Sequence, residues 1–222
     1  MSMARRQLED FPFPVAFEQQ EVRNTLAEVL AANAVRQLHV AETEKYAHVT
    51  YFFNGGEERE WEGEARILVP SPRDVPSYDL RPEMSAAEVA RRLCDEIGNE
   101  YRFAVVNFAN PDMVGHTGSI PAAVAAVEAT DEALGRVVAC VERAGGVCLV
   151  TADHGNAEAM LAADGVSPHT AHTSNPVPLV VTDDGVSLAD RGELSDLACT
   201  ILGMLGLDIP SDMTGRVLAT RA

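Results

Sequence analysis

The sequence predicts an α/β protein in which helices cover both faces of a mostly parallel sheet, giving three layers in the order α/β/α. Strand-like segments alternate with segments of helical periodicity along the 222 residues, which favours parallel strands joined by helices. Two short apolar runs, residues 103–108 and 147–150, have the pattern of buried strands, and aspartate and histidine residues directly follow both. Because ligands bind beyond the carboxyl ends of strands in open α/β sheets, this placement also predicts where a site lies.

The first half of the chain is predicted to contain four elements after a polar, proline-interrupted lead-in. They are a helix over 24–32 that Asn24 can cap, a strand over 37–41, a helix over 42–53 that stops at Asn54-Gly55-Gly56, and a strand over 67–69. A proline-rich loop follows over residues 70–82.

The second half is predicted to be mainly helical outside its strands. Ser85 and Glu88 match a capping box, in which each side chain bonds the backbone amide of the other, so a helix is expected to begin there and to run to about residue 97. A long helix is predicted over 120–144, because Pro121 suits its first turn. Its apolar side repeats at helical spacing through Val124, Val127, Leu134, Val137, Val138 and Val141. The last predicted elements are a strand over 177–182 and a helix over 194–205.

Composition narrows the classes of function. The formal net charge of −17 argues against nucleic-acid binding, which needs a basic surface. It does not exclude an anionic substrate, because a bound dication can reverse the sign of charge within its site. The apolar runs are shorter than the roughly 20 residues of a membrane helix, and no signal peptide is visible. We therefore expect a cytoplasmic protein without membrane contact, whose four widely spaced cysteines are reduced thiols.

Five residues form a candidate metal site: Asp112, His116, Asp153, His154 and His172. Carboxylate and imidazole ligands in this mixture suit Mn²⁺ or Zn²⁺. Asp112 and His116 are four residues apart, so they share one face if that segment is helical. His169 is a possible substitute but has the setting of an exposed loop histidine, and His39 and His48 are interpreted as structural. Two ions with three or more protein ligands each would need about six ligands, so five candidates leave a two-metal site incomplete.

Several phrases of the sequence closely resemble the cofactor-independent phosphoglycerate mutases, which belong to the alkaline phosphatase superfamily. The resemblance extends from about Val15 to the C-terminus. Its phrases are Ala41-Glu-Thr-Glu-Lys-Tyr46, Val49-Thr50, Phe52-Phe53, Gly55-Gly56, Tyr78-Asp-Leu-Arg-Pro-Glu-Met-Ser85, Asn107-Phe-Ala-Asn-Pro-Asp-Met-Val-Gly-His116, Thr151-Ala-Asp-His-Gly-Asn156 and Thr170-Ala-His-Thr173.

The resemblance implies an alkaline-phosphatase-like domain and the interconversion of 3-phosphoglycerate and 2-phosphoglycerate in glycolysis by metal-assisted phosphoryl transfer. Family enzymes combine a phosphatase domain, which carries two Mn²⁺ ions and a transiently phosphorylated serine, with an inserted transferase domain that holds the phosphoglycerate. By motif, Asp112, His116 and His172 resemble the ligands of one Mn²⁺, with Zn²⁺ or Mg²⁺ as alternatives. Asp153 and His154 resemble ligands of the other ion.

The resemblance also implies a role for Lys45, which matches the family lysine that neutralises the transferring phosphoryl group; composition alone would make it an ordinary helix lysine. Only the C-terminal part of the family is matched. Residues 1–20 resemble the end of the transferase-domain linker, and residues 21–222 resemble the C-terminal portion of the metal-binding phosphatase domain. The family's N-terminal strands, with the nucleophilic serine and an aspartate of the second metal site, have no counterpart, and Ser119 is interpreted as a helix cap. One complete metal site and an isolated chain without mutase activity are therefore expected.

Three interpretations follow from the partial resemblance. The chain is a phosphoglycerate mutase portion (a truncated product, an expressed fragment or one half of a split enzyme), a non-catalytic metal-binding relic, or a weak metal-dependent phosphatase. The expected small-molecule partner is a phosphorylated acid. Because missing strands leave an unpaired strand edge and apolar surface, the expected protein partner is a second copy in a homodimer or the missing N-terminal half in trans.

Overall fold

A computed structural model describes residues 2–4, 15–17, 22–98 and 100–221. The lead-in predicted over residues 1–20 lies outside the described residues, apart from two short strands that pair in parallel, β1 (Ser2–Ala4) and β2 (Val15–Phe17). Within the described ranges no helix is both long enough and apolar enough to cross a bilayer.

The remaining elements alternate between helix and strand through the first two thirds of the chain. In order they are α1 (Leu26–Ala32), β3 (Gln37–Glu42), α2 (Thr43–Val49), β4 (Glu64–Val69), a 3₁₀ helix (Tyr78–Leu80), α3 (Ala86–Glu96), β5 (Phe103–Asn107), α4 (Asn110–Gly115), α5 (Ile120–Arg143), β6 (Leu149–Thr151), β7 (Leu179–Val181), β8 (Val186–Leu188), α6 (Asp196–Leu205) and β9 (Ala219–Arg221).

The central sheet is parallel and runs in the order β4-β3-β5. All six residues of β3 are buried, as expected for a strand with a neighbour on each side and helices on both faces. Two antiparallel pairs, β6 with β7 and β8 with β9, lie outside this sheet. The prediction of a mostly parallel α/β sheet is confirmed, whereas the antiparallel return of β7 along β6 was not expected.

Helices occupy both faces of the sheet. Leu38 of β3 packs with Leu93 of α3 and Val137 of α5. The neighbouring Gln37 projects to the opposite face, because successive strand side chains alternate, and its amide donates to the carbonyl of Ala27 in α1 over 2.8 Å. Helices α1 and α6 share a second apolar cluster. The arrangement confirms the predicted three layers.

Two predicted helix starts differ from the structure. Thr25, rather than Asn24, caps α1 and accepts from the Glu28 amide over 3.3 Å. Ser85 precedes α3 without forming the capping box, because its hydroxyl donates to the Pro70 carbonyl and Glu88 pairs with Arg91 on the same helix. In both cases the side chain that the sequence pattern assigns to the helix cap does not form the expected cap bond, because another partner competes for the polar group.

The long helix α5 buries a different face near its start from the one predicted. Val124 and Val127 are 52% and 47% exposed, while Ala122, Ala123 and Ala126 are buried against α4 and the 3₁₀ helix. Small side chains let the backbone of α5 approach its neighbours closely, and the apolar pattern alone does not reveal this. Towards its C-terminal end Val137 enters the main core as predicted.

A disulfide joins Cys94 of α3 to Cys140 of α5, with Cα atoms 5.8 Å apart, whereas Cys148 and Cys199 are free. The expectation of four reduced thiols is therefore wrong for two of them. The two cysteines are 46 residues apart in the sequence, so no local pattern indicates that they pair. The packing of α3 against α5 brings them together. The cross-link fixes α3 against α5 on one face of the sheet.

Reduction of this disulfide is expected to lower the free energy of unfolding by about 2 kcal/mol, the low end of the ~2–4 kcal/mol typical for such cross-links. Urea denaturation with and without dithiothreitol, compared for the native chain and the Cys94→Ser variant, measures the effect. Dithiothreitol should leave the variant unchanged. Equal sensitivity of both proteins to dithiothreitol would contradict the assignment.

Candidate metal centre

The five predicted metal ligands lie together beyond the carboxyl ends of β5 and β6. Asp112 is in the first turn of α4, and His116 caps the C-terminal end of that helix. Asp153 and His154 follow β6, and His172 lies in the loop that leads to β7. The contact between Asn107, the last residue of β5, and Asp153 (Nδ2 to Oδ2, 3.2 Å) shows that the two strand ends meet.

Asp112, His116 and His172 form the tightest group. The Oδ1 atom of Asp112 is 3.0 Å from Nε2 of His172 and 3.1 Å from Nε2 of His116, and the two Nε2 atoms are 3.0 Å apart. The i, i+4 spacing on α4 places Asp112 and His116 on one face, as helical geometry requires. Three atoms of the kind that Mn²⁺ and Zn²⁺ accept as ligands thus converge from helix α4 and from the loop that leads to β7.

The orientation of His116 follows from its second contact. Its Nδ1 atom is 2.6 Å from the carbonyl oxygen of Thr170. Because a carbonyl only accepts hydrogen bonds, Nδ1 donates to it, and Nε2 is the nitrogen left on the side of Asp112 and His172, where a cation could bind. A backbone contact of this kind is how metal-binding histidines are commonly oriented.

The Asp153 and His154 group is less complete. His154 Nε2 is 3.5 Å from Asp153 Oδ1 and 3.9 Å from Asp112 Oδ1, and its ring stacks on His172 with centroids 3.7 Å apart. Both ring nitrogens of His154 are buried without a hydrogen-bond partner among the described residues. Since an unpaired buried polar atom is costly, these nitrogens fit a site that holds a cation. Ligand atoms of Asp112, His154 and His172 all lie within 4.8 Å of one another.

Lys45 of α2 places its charged end between the two groups. It is 2% exposed, and its Nζ atom is 2.8 Å from Asp112 Oδ2 and 3.7 Å from Asp153 Oδ2. Burial raises the pKa of Asp112, but the hydrogen bond and charge of Lys45 outweigh that effect and hold the pKa below its ordinary value. Asp112 is therefore an ionised carboxylate across the physiological range.

Two asparagines that sequence reasoning missed support the aspartates. Asn156 donates to Asp112 Oδ1 over 3.0 Å, and Asn107 donates to Asp153. Gly115 explains the close approach of Asn156, because a Cβ atom there would lie 2.3 Å from the Asn156 amide oxygen. The position of Asn156 directly after the Asp-His-Gly phrase was the only signal available in the sequence.

Two of the other three histidines bond backbone carbonyls rather than the candidate ligands. His169 bonds the Ala159 carbonyl through Nδ1 over 2.9 Å. His39 is fully buried and bonds the Val49 carbonyl over 2.6 Å, as expected for a structural histidine, although Glu64 lies only 3.6 Å away. Burial and, next, the charge of Lys45 lower the pKa of His48, which lies near the centre on α2.

Comparison with known proteins identifies the family. The sequence matches the Metalloenzyme superfamily over residues 14–209. The chain belongs to this superfamily. It is 54% identical over 212 residues to the 2,3-bisphosphoglycerate-independent phosphoglycerate mutase of Chromohalobacter salexigens, covering 94% of this chain and 40% of that protein. A mutase of the same description from Methanosarcina acetivorans is 51% identical over 215 residues, covering 96% of this chain and 42% of that protein.

Solved structures give the same relationship. The Leishmania mexicana phosphoglycerate mutase, determined at low cobalt concentration, superposes with a TM-score of 0.80 at 30% identity over 90% of this chain and 40% of that chain. A 2-O GAG sulfatase shares the fold alone, with a TM-score of 0.58 at 12% identity over 90% of this chain and 57% of the sulfatase. The resemblance found in the sequence phrases is thus confirmed. The chain spans about 40% of the length of the curated relatives it matches.

Glu158 links the two loops that carry the candidate ligands His154 and His172. Its carboxylate accepts from the Asn156 amide over 2.6 Å, from the Asn175 side chain over 2.9 Å and from the Thr173 hydroxyl. The hydrogen bond from Thr173, followed by the others, lowers the pKa of Glu158 to about 2. The carboxylate therefore stays ionised, and it fixes His172 relative to the Asp-His-Gly loop.

The Glu158→Ala variant is expected to bind Mn²⁺ about 10-fold to 100-fold more weakly, the cost typical of losing a residue that orients a metal ligand. Calorimetric titration measures the change. Asp164→Ala is the matched control, because Asp164 accepts similar bonds from Val166 and Ser167 within its own turn. The same loss of affinity in both variants would contradict a specific role for Glu158.

Proposed function

We propose that this chain is the metal-binding portion of a cytoplasmic phosphoglycerate mutase, which interconverts 3-phosphoglycerate and 2-phosphoglycerate in glycolysis by metal-assisted phosphoryl transfer. The observation that carries the proposal is the convergence of Asp112, His116, Asp153, His154 and His172 around Lys45. The names of relatives more than half identical in sequence supply the substrate. We propose mutase activity only for this chain together with the part that the relatives contain in addition, and not for the chain alone.

In this proposal one Mn²⁺ is bound by Asp112, His116 and His172. A second Mn²⁺ is bound in part by Asp153 and His154. Carboxylate and imidazole donors also accept Zn²⁺, and Mg²⁺ is a weaker candidate because imidazole suits it less. Divalent ions bound here would neutralise charge on the oxygens of the transferring phosphoryl group. The second ligand pair needs further oxygens, since structural and catalytic sites normally take three or more protein ligands.

Lys45 is the residue of this chain that would bind the phosphoryl group. Two carboxylates hold its ammonium group in place, those of Asp112 and Asp153. A cation held in a fixed position stabilises developing negative charge more strongly than one in water, because less solvent has to reorganise. Its role is to orient and neutralise the phosphoryl oxygens rather than to donate or accept a proton.

Among the residues that the structure describes, no attacking oxygen is evident at the centre. In the described ranges, no serine or threonine hydroxyl hydrogen-bonds to Lys45 or to any of the five ligands. Ser119, which precedes α5, makes no side-chain cap bond and belongs to the turn after His116. Covalent transfer in two steps requires a nucleophile, so mutase turnover is proposed to depend on a residue outside this chain.

A weak hydrolytic activity is a second candidate, because two ligands are open to solvent. The side chains of His172 and Asp153 are 47% and 42% exposed, so water reaches the centre. Water activated beside a bound dication hydrolyses phosphate esters without a protein nucleophile. A relic that binds metal without any turnover is the remaining alternative.

An assay with Mn²⁺ separates these functions. The native chain is tested for conversion of 3-phosphoglycerate to 2-phosphoglycerate and for release of phosphate, alone and with the part of the Chromohalobacter salexigens mutase that it does not match. Conversion only in the presence of that part supports the proposal, and Lys45→Met should abolish it. Phosphate release without conversion favours the hydrolase, and metal binding with neither product favours the relic.

A further inference from the structure

Helix α2, which carries Lys45, has only seven residues. A helix shorter than about 12 residues is marginal by itself in water, so most of its stability comes from packing against its neighbours. The helix lies against β3 and β5. The position of Lys45 therefore depends on the contacts that hold the two ends of α2.

The N-terminal end of α2 is held by the loop that follows β4. The Thr43 hydroxyl oxygen accepts from the Ser71 amide over 3.0 Å. Glu42, the residue before the helix, is fully buried, and its carboxylate accepts from the Ser71 hydroxyl over 2.8 Å. These contacts fix the first turn, but the end of the helix beyond Lys45 needs a partner of its own.

At the C-terminal end of α2, His39 of β3 contacts the carbonyl of the last helical residue. Its Nδ1 atom is 2.6 Å from the carbonyl oxygen of Val49. Because a carbonyl only accepts hydrogen bonds, Nδ1 is the donor. The last carbonyls of a helix have no partner within the helix, and Val49 is 2% exposed, so little water can take the place of His39.

The ring of His39 is itself fixed in the core. It is fully buried, and its Nε2 atom lies 3.1 Å from Oε1 of Gln37. Nδ1 is also 3.6 Å from the Glu64 carboxylate. The rings of Phe53 and Phe103 meet it edge-on, with centroids 5.2 Å and 6.5 Å away. A ring that is held on several sides is a fixed anchor for the end of the helix.

The anchored carbonyl is one helical turn from Lys45. In an α-helix each amide donates to the carbonyl four residues earlier, so the Val49 amide bonds the Lys45 carbonyl. The side chain of Lys45 then reaches Asp112, with Nζ 2.8 Å from Oδ2. A shift of α2 by about 1 Å away from α4 would lengthen this contact beyond hydrogen-bonding distance.

We propose that His39 is a positioning residue of the centre: by donating to the Val49 carbonyl it fixes α2 and so holds the Lys45 ammonium group against Asp112. The consequence for binding of the phosphoryl group rests on the proposed function. The coupling between His39 and Lys45 does not, because it involves only contacts within the metal-free chain.

NMR spectroscopy of the metal-free chain tests this coupling with a single signal, because Lys45 is the only lysine of the sequence. With isotopically labelled lysine, the ammonium protons of Lys45 should exchange slowly with water, since the group is buried and bonded to Asp112. His39→Leu keeps a side chain of similar size without the donor, and it should speed this exchange by about tenfold or more. His39→Asn is smaller but places an amide donor near the position of Nδ1, and it should restore slow exchange.

The two variants separate the hydrogen bond from packing. Slow exchange in His39→Leu overturns the proposal, because the donor is then dispensable. Fast exchange in His39→Asn also overturns it, because the volume of the ring rather than its donor would then position α2. Rapid exchange in the native chain has the same consequence, since Lys45 would not be held at all.

Val89→Ala is the control for a general loss of stability. Val89 is fully buried on α3 and packs with Leu38, whose side chain lies on the face of β3 opposite to His39. Exchange of the Lys45 protons should not change in this variant, and an acceleration equal to that of His39→Leu overturns the proposal.

If His39→Leu does not fold, Gln37→Met decides in its place, because it leaves the imidazole intact and removes the side-chain oxygen beside Nε2. It should also speed the exchange, and an unchanged rate overturns the proposal. Neither metal nor substrate is present in these measurements, so absence of mutase turnover would leave their outcome standing.

Discussion

Replacement of Asp112 by alanine is expected to lower the free energy of unfolding of the metal-free chain by about 3 kcal/mol. The loss of one partner from a buried ion pair typically costs ~3–5 kcal/mol, because the other charge is left buried and unpaired. Lys45 is 2% exposed, and after the substitution its nearest carboxylate is that of Asp153, 3.7 Å away. The remaining contact places the effect at the lower end of that range. Urea denaturation in EDTA measures it.

Two further variants make this result specific. Adding Lys45→Met to Asp112→Ala should recover much of the lost stability, since it removes the buried charge. Asp74→Ala is the matched surface control, because Asp74 pairs with Arg81 over 2.6 Å where both side chains are exposed, and it should cost under ~1 kcal/mol. If Asp112→Ala and Asp74→Ala lower the free energy of unfolding equally, the Lys45–Asp112 pair does not behave as a buried ion pair.

Replacement of His116 by alanine is expected to weaken tight Mn²⁺ binding by more than about 100-fold. Loss of a residue that only orients a ligand costs up to ~100-fold, so loss of a direct ligand should exceed it. The native chain should show two binding events of unequal affinity. Three candidate ligands, Asp112, His116 and His172, can bind one ion, whereas the other ion has only Asp153 and His154 among the described residues. Calorimetric titration resolves both events.

His169 provides the matched control for this substitution. It lies three residues before His172, yet its ring bonds the Ala159 carbonyl outside the centre. His169→Ala should therefore leave the tight event unchanged. Two equally tight ions per native chain, or survival of the tight event in His116→Ala, would refute the assignment of ligands.

The parts of the fold that depend on local pattern were predictable, and those that depend on tertiary partners were not. The buried strand β3 and the long helix α5 follow from apolar periodicity and lie close to their predicted positions. The helix predicted over 42–53 ends at Val49 in the structure, because the chain then turns so that Asn54 can bond the buried carboxylate of Glu64. The disulfide and the antiparallel β7 depend on contacts between distant segments, which no local signal encodes.

The same division applies to the site. Aspartate and histidine residues in loops and turns near strands were sufficient to select five residues that the structure brings together. Lys45 was accessible only through the family resemblance, because a lysine on a helix carries no sign of burial in its sequence. Glu158 acts through loop conformation, and its three hydrogen bonds arise only once the loops have folded against each other.

The candidate metal centre is shared between two strands of separate sheets, and this has a thermodynamic consequence. Asp112 follows β5, whereas His154 follows β6, yet their ligand atoms lie within 4.8 Å of each other. A cation bound by both would hold the ends of β5 and β6 at a fixed separation. Linkage makes this effect reciprocal, so any change that holds the two strand ends together should also tighten cation binding. Chelation would then loosen β6 against β5, and metal supply would set how rigid this part of the fold is.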